Sequence, residues 1–322
     1  MTGLSVDRVR AAAGRLAGVA HRTPLLTSGT LDELCEATVL IKAEPFQRGG
    51  SFKFRGAYNR ISQLDDRQRA AGVVAYSSGN HGGAVALAAR MLGIQAVVVV
   101  PDNVSPAKLA AIEGYGAQIH RYQYGREDRV AIATRIATER SMTLIPPFDD
   151  YEVMAGQGTI GLELAEQAGT LDLVLVPVGG GGLVAGIATA VKSVLPEAAV
   201  VGVEPEAADD TRQSLRTGNP VTIPPAVTIA DGLRTERPGS LTFPVNYRLL
   251  DDIVTVTDRA IVDAMRFCFS RLKLVVEPSG AVPLAALLDG AVKAPGKRVA
   301  VVVSGGNIAP SDFATYLSKP FS

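Results

Sequence analysis

Apolar residues gather along this chain in short runs rich in β-branched side chains, at 39–42, 73–76, 96–100, 173–178, 200–204, 253–256 and 299–303. Runs this short, apolar at consecutive rather than alternate positions, predict strands buried on both faces. Between most of them lie alanine-rich segments of helical period, at 84–92, 106–113, 130–139 and 182–194. The stretch 9–20 predicts an amphipathic first helix, with Arg10 and Arg15 interrupting its alanines. Alternation of strand and helix predicts an α/β fold whose parallel sheets are covered by helices on both faces. Right-handed crossovers then bring the carboxyl ends of the strands to one edge, where the following loops meet ligands. Three clusters of small residues follow strands in this way, at 77–83, 179–182 and 304–307.

Composition narrows the partners. The chain has 322 residues, enough for one large domain or two of ordinary size. Lys plus Arg and Asp plus Glu number 32 each, so no net field favours nucleic acid or an anionic membrane. A small-molecule substrate is the expectation. The two cysteines, Cys35 and Cys268, sit in apolar surroundings with no CxxC pair, which predicts buried free thiols rather than a disulfide. No apolar run reaches the roughly 20 residues of a membrane helix, and the broken first helix makes a poor signal peptide. The expected compartment is the cytoplasm.

Candidate chemistry concentrates in the loops. In QRGGSFKFRGA, at 47–57, Lys53 stands between Phe52 and Phe54 and beside glycines. Burial there would disfavour the ammonium and lower the lysine pKa, as condensation with an aldehyde requires; a solvated lysine at a helix start fits the same residues. The loop SSGNHGG, at 77–83, offers small residues for close approach to the backbone, the Ser78 hydroxyl and the Asn80 amide, and suits a capped helix start equally. For His81 a local hydrogen bond is the simpler role than acid–base catalysis. The run Gly179, Gly180, Gly181, Gly182 passes from strand to helix without a gap, so free amides and the positive helix end converge as in a phosphate site. A dinucleotide loop stays open at this level: the GxGxxG spacing is not met, although Glu204 ends the next strand.

Taken in order, these motifs resemble the fold-type II pyridoxal-phosphate enzymes, most closely the serine racemase and serine/threonine dehydratase branch. The match spans nearly the whole chain: GSFKFRGA at 50–57, SSGNHG at 77–82, AGQGT at 155–159, GGGG at 179–182, GVEPEAADD at 202–210, ADG at 230–232, EPSGA at 277–281 and SGGN at 304–307. The resemblance implies a fold like that of the tryptophan synthase β subunit: two parallel-sheet, three-layer domains with the active site between them. A large domain would comprise 1–66 and 151–322, and a small mobile one 67–150. It implies pyridoxal 5′-phosphate held by Lys53 as a Schiff base, with Phe52 near its ring, Asn80 on its hydroxyl, Ser304 on its nitrogen, Glu277 nearby and the polyglycine loop on its phosphate. Ser77, Ser78, Gly79, Asn80 and His81 would receive the substrate, with Arg129 aligned by spacing to a further contact. Lys53 and Ser78 are the implied catalytic pair, the serine keeping racemisation open. Glu204, Ala208 and Asp210 match a divalent-cation site, whose oxygen donors favour Mg²⁺, Ca²⁺ or Mn²⁺; the alternative is an acidic helix start stabilised by its dipole. A homodimer is likewise implied. Gly83 and Gly49 depart from residues common in relatives, whereas Phe148 and Asp149 resemble the dehydratases and tilt the expectation toward elimination.

Overall fold

The computed structural model describes residues 3–318, so the outermost ends of the expected large domain, 1–2 and 319–322, lie outside the described residues. Among the described residues ten strands form two sheets: β1 (Leu25–Leu26), β2 (Thr38–Ala43), β3 (Val73–Tyr76), β4 (Ala96–Pro101), β5 (Gln118–Tyr122), β6 (Thr143–Leu144), β7 (Leu173–Pro177), β8 (Ala199–Pro205), β9 (Asp252–Val256) and β10 (Arg298–Val303). The larger sheet runs in the order β1-β2-β10-β7-β8-β9, and the smaller β5-β4-β3-β6. All neighbours are parallel except β1, which lies antiparallel on β2 at the edge.

The seven apolar runs are strands as predicted. Every residue of β7 is buried, as are all but the first of β10, which is what helical cover on both faces produces. The strand β5 escapes an apolar-run criterion because QIHRY is a sheet edge with only Tyr122 buried. The first helix is Val6–Leu16 rather than 9–20: the Ser5 hydroxyl caps it by accepting from the Arg8 amide, and Gly18, at φ +72°, follows its end. Both cysteines are free thiols, Cys268 buried as expected and Cys35 only half-buried. Among the described residues, no helix is long and apolar enough to cross a membrane.

The AGQGT motif lies inside the long helix Tyr151–Ala168, where glycine would ordinarily weaken a helix. A Cβ on Gly156 would strike the Arg55 carbonyl, and one on Gly158 the Gly186 carbonyl. The glycines therefore allow this helix to lie against both Lys53–Ile61 and Gly182–Val194, and the Gln157 side chain accepts from the Gly56 amide at 3.0 Å. The helix carrying Lys53 and the helix that leaves the polyglycine turn are thereby both docked on this one long helix.

Candidate active site

Lys53 begins the helix Lys53–Ile61 at a junction of two cores. Phe54 is fully buried among β3, β4 and the helix Asn80–Met91, whereas Phe52 packs against the core around β7 and β10. Because its two aromatic neighbours enter different cores, the lysine is held between the sheets. Its Nζ donates to the Pro147 carbonyl at 2.8 Å and stands 4.9 Å from the Phe52 ring centre. Burial pushes the amine down to about 8, with the Glu277 charge opposing.

The backbone before Lys53 is stitched to the end of β10. Ser51 bridges Gly305, the Phe52 amide donates to the Ser304 carbonyl at 3.0 Å, and the Gly306 amide donates to the Gly50 carbonyl at 3.0 Å. Ser304 itself is buried. Asn307 donates to the Gly49 carbonyl at 2.7 Å and to Asn80 Oδ1 at 2.8 Å. Asn80 in turn donates to Glu277 Oε1 at 2.7 Å across 197 positions of sequence. Burial, reinforced by the Asp231 charge, pushes the Glu277 carboxyl up to about 8. The motifs at 230–232 and 277–281 meet as well, since the Gly232 amide donates to Ser279 Oγ at 2.9 Å.

In the 77–83 loop the glycines have unequal tasks. A Cβ on Gly82 would collide with the Ser77 carbonyl of the same loop, whereas Gly79 and Gly83 have open space around them. Ser77, Ser78, Gly79 and Asn80 are half-buried, and the Ser77 hydroxyl accepts from the Gly79 amide. The His81 ring is turned inward, with Nε2 at 2.8 Å from the Ile145 carbonyl and Nδ1 without a partner. Burial and the Lys53 charge push it down to about 3, so it stays neutral at physiological pH. That is the local hydrogen-bonding role.

The polyglycine turn leads directly into the helix Gly182–Val194, with Gly181 as its N-cap at φ +87°. First-turn amides have no acceptor within their own helix, which makes this a ready anion site. The Phe148 ring lies against Gly180, and its Cβ and main chain against Gly182; a Cβ at either glycine would overlap it. Pro147, whose carbonyl holds the lysine, is the preceding residue, so amine and turn are linked through two adjacent residues. Phe148 and Asp149 entered the sequence reading only through their resemblance to dehydratases, and nothing local marked residues 145–150 as this hub, in which the carboxylates of Asp149 and Asp150 also accept main-chain amides at two helix starts.

Arg129 is exposed at the start of the helix Arg129–Glu139, and its charge acts on Tyr76, the residue before Ser77, and on Tyr122. Glu204 and Asp210 lie at the end of β8 and the start of Asp210–Thr217. Both Glu204 oxygens accept main-chain amides, from Thr211 and Arg212, so this carboxylate does cap a helix. Capping leaves Asp210 unexplained: Oδ1 accepts from Thr235, but Oδ2 is buried without a donor. Burial raises both carboxyls, Asp210 to about 7, and the Asp210 charge raises Glu204 further. Among the described residues no group of three or more His, Cys, Asp or Glu side chains forms a metal cluster, so a cation here would draw on main-chain oxygens such as that of the buried Ala208.

The family model described as "Pyridoxal-phosphate dependent enzyme" matches residues 16–305. The chain is 47% identical over 306 residues to an L-threo-3-hydroxyaspartate ammonia-lyase of a Pseudomonas species, covering 95% of this chain and 96% of that one. It is 44% identical over 313 residues to a serine racemase of Schizosaccharomyces pombe, covering 97% of each. Among solved structures, a T.th. threonine deaminase superposes with a TM-score of 0.90 at 46% identity, covering 95% of this chain and 99% of that one.

Proposed function

The chain belongs to the pyridoxal-phosphate dependent enzyme family, and from that premise we propose that it converts a small β-hydroxy amino acid to a 2-oxo acid and ammonia. L-Serine, L-threonine and 3-hydroxyaspartate are the substrates to expect, in keeping with what the similar proteins are named for. The observation that carries the reading is the Lys53 amine, pushed down to about 8 between the two sheets. Bound pyridoxal phosphate supplies an aldehyde that condenses with amines and a ring that delocalises the electron pair left when a bond at Cα breaks. Lys53 is the residue that holds it, and the same amine, once free, is the base for the Cα proton, since a pKa near the working pH exchanges protons efficiently.

The other residues bind and orient. The amides of 179–182 take the phosphate, Phe52 packs on the ring, Asn80 bonds its hydroxyl and Ser304 its nitrogen. Glu277, pushed up to about 8, reaches Asn80 as a largely protonated neighbour. A neutral serine at 304 does not hold the ring nitrogen protonated as a carboxylate would, which suits a reaction whose leaving group takes up charge as it departs. Ser77, Ser78, Gly79, Asn80 and the main chain of His81 receive the substrate carboxylate, with Arg129, whose charge acts on Tyr76, as a further contact.

A second reading, racemisation, is favoured by one observation: the half-buried Ser78 hydroxyl makes no hydrogen bond among the described residues, so it is available as a second proton donor. The buried, unpartnered Asp210 oxygen beside Glu204 fits a divalent cation held with the Ala208 carbonyl, and Mg²⁺, Ca²⁺ or Mn²⁺ suit these oxygen donors. We take the working form to be a homodimer, and 67–150 to move relative to the rest.

The test is a panel of L-serine, L-threonine and L-threo-3-hydroxyaspartate scored together for oxo acid and for enantiomer. Lys53→Ala should abolish both products and the visible band of lysine-bound cofactor. Ser78→Ala should remove any D-enantiomer while oxo-acid release survives. Retention of band and turnover by Lys53→Ala would defeat the reading.

A further inference from the structure

A polyglycine turn carries no side chains, so something outside it must decide which way its peptide planes face. Two fully buried residues of the helix Thr242–Leu249, Thr242 and Asn246, stand four positions apart on one side of that helix. Thr242 Oγ1 donates to the Gly180 carbonyl at 2.7 Å, and Asn246 Nδ2 donates to the Gly181 carbonyl at 3.2 Å. Among the described residues every peptide bond is trans, and in a trans peptide the carbonyl and the following N–H point in opposite directions. Bonding the Gly180 carbonyl to this helix therefore turns the Gly181 N–H away from it, and bonding the Gly181 carbonyl does the same for the Gly182 N–H. The helix is itself fixed from below, because the Asp149 carboxylate accepts from the amides of Ser240, Leu241 and Thr242 at 2.8–3.2 Å. Asn246 Oδ1 is buried with no donor, so the only bond this side chain makes among the described residues is the one to Gly181.

We propose that Thr242 and Asn246 are positioning residues for phosphate: they hold the backs of the Gly180–Gly181 and Gly181–Gly182 peptides and thereby aim the amides of Gly181 and Gly182 at the cofactor phosphate. The inference rests on the reading of 179–182 as the phosphate cradle. Both residues act on the turn's carbonyl side and neither touches the Lys53 amine. Their loss should weaken retention of a phosphorylated ligand and leave the chemistry intact.

The experiment titrates the full-length chain, stripped of cofactor, with pyridoxal phosphate and separately with pyridoxal, which lacks the phosphate, following the visible band. Thr242→Val should weaken pyridoxal phosphate about fivefold, the size of one ordinary net hydrogen bond. Asn246→Asp, which sets a carboxylate against the Gly181 carbonyl, should weaken it about tenfold or more. Thr242→Ser, which keeps the hydroxyl, should stay within about twofold of the parent. Affinity for pyridoxal, and kcat at saturating cofactor, should not change in any of them. Equal losses for pyridoxal and its phosphate would mean a merely structural role and overturn the proposal, as would a Thr242→Val chain that binds pyridoxal phosphate as tightly as the parent. If Thr242→Val does not fold, Asn246→Leu carries the same comparison. A parent chain that binds both ligands alike would instead show that the cradle reading itself is wrong, and this inference with it.

Discussion

Replacing Arg55 by methionine should destabilise the holoenzyme by about 3–5 kcal/mol, the usual cost of stranding a buried charge by removing its partner. Arg55 is 1% exposed, lies two residues after Lys53, and meets Glu44 through both Nε and Nη2 at 2.9 Å. Its Nη1 reaches Glu163 Oε1 at 2.5 Å and Thr159 at 3.2 Å. Glu163 also receives Lys42 Nζ at 2.6 Å, and Lys42 goes on to the Thr23 carbonyl and Gln167 at 2.8 Å. The cluster is thus two cations and two carboxylates with no net charge, and Glu44 is 0% exposed. Removing the arginine leaves one uncompensated anion in a buried site. With an unfolding entropy of about 2.1 cal/mol/K per residue, that loss over a chain of 322 residues corresponds to a fall in Tm of about 4–7 °C. The assay is thermal unfolding at fixed cofactor concentration, since bound ligand shifts Tm by mass action. The double variant Glu44→Met/Arg55→Met should recover most of the loss, because methionines of similar volume replace the pair without leaving a buried charge. A Tm for Arg55→Met within about 1 °C of the parent, or a double variant worse than the single one, would refute the reasoning.

The Lys53 amine reacts only when neutral, so cofactor loading of the stripped chain should speed up as pH rises, with a midpoint near the lowered value of about 8; at pH 7 about one tenth of the amine is then free, against about one in three thousand for an ordinary lysine. Stopped-flow rates across pH check this, and a midpoint near 10.5 would contradict it. Chelation with EDTA should lower the Tm of the parent and be reversed by Mg²⁺ or Ca²⁺, while a Glu204→Gln/Asp210→Asn chain should no longer respond. An EDTA-insensitive parent would remove the cation from the account.

Some of the site was legible in the chain because the information is local. The Gly179–Gly182 run follows a buried strand and enters a helix at once, and three consecutive facts of sequence make that a candidate anion site. Lys53 was legible through its phenylalanine neighbours, although nothing local says that they enter different cores. His81 was ambiguous for the opposite reason. A histidine in a polar, glycine-rich loop offers both substrate contact and internal bonding, and only the position of the Ile145 carbonyl decides between them. The short β1 and β6 strands and the exposed β5 edge were invisible to an apolar-run criterion, since few of their residues are buried.

By itself the sequence determined the parallel α/β layering, its seven buried strands and the three clusters of small residues that follow strands, because burial on both faces and helix starts are written in consecutive residues, whereas the order of strands in each sheet came from the fold. Tertiary structure alone decided the long-range bonds: Asn80 to Glu277, Lys53 to the Pro147 carbonyl, Arg55 to Glu44 and Glu163, Thr242 and Asn246 to the glycine turn. A hydrogen bond requires that two groups arrive within about 3 Å at a suitable angle. Nothing in the spacing of residues one or two hundred positions apart specifies that meeting until the sheets and crossing helices have brought them together.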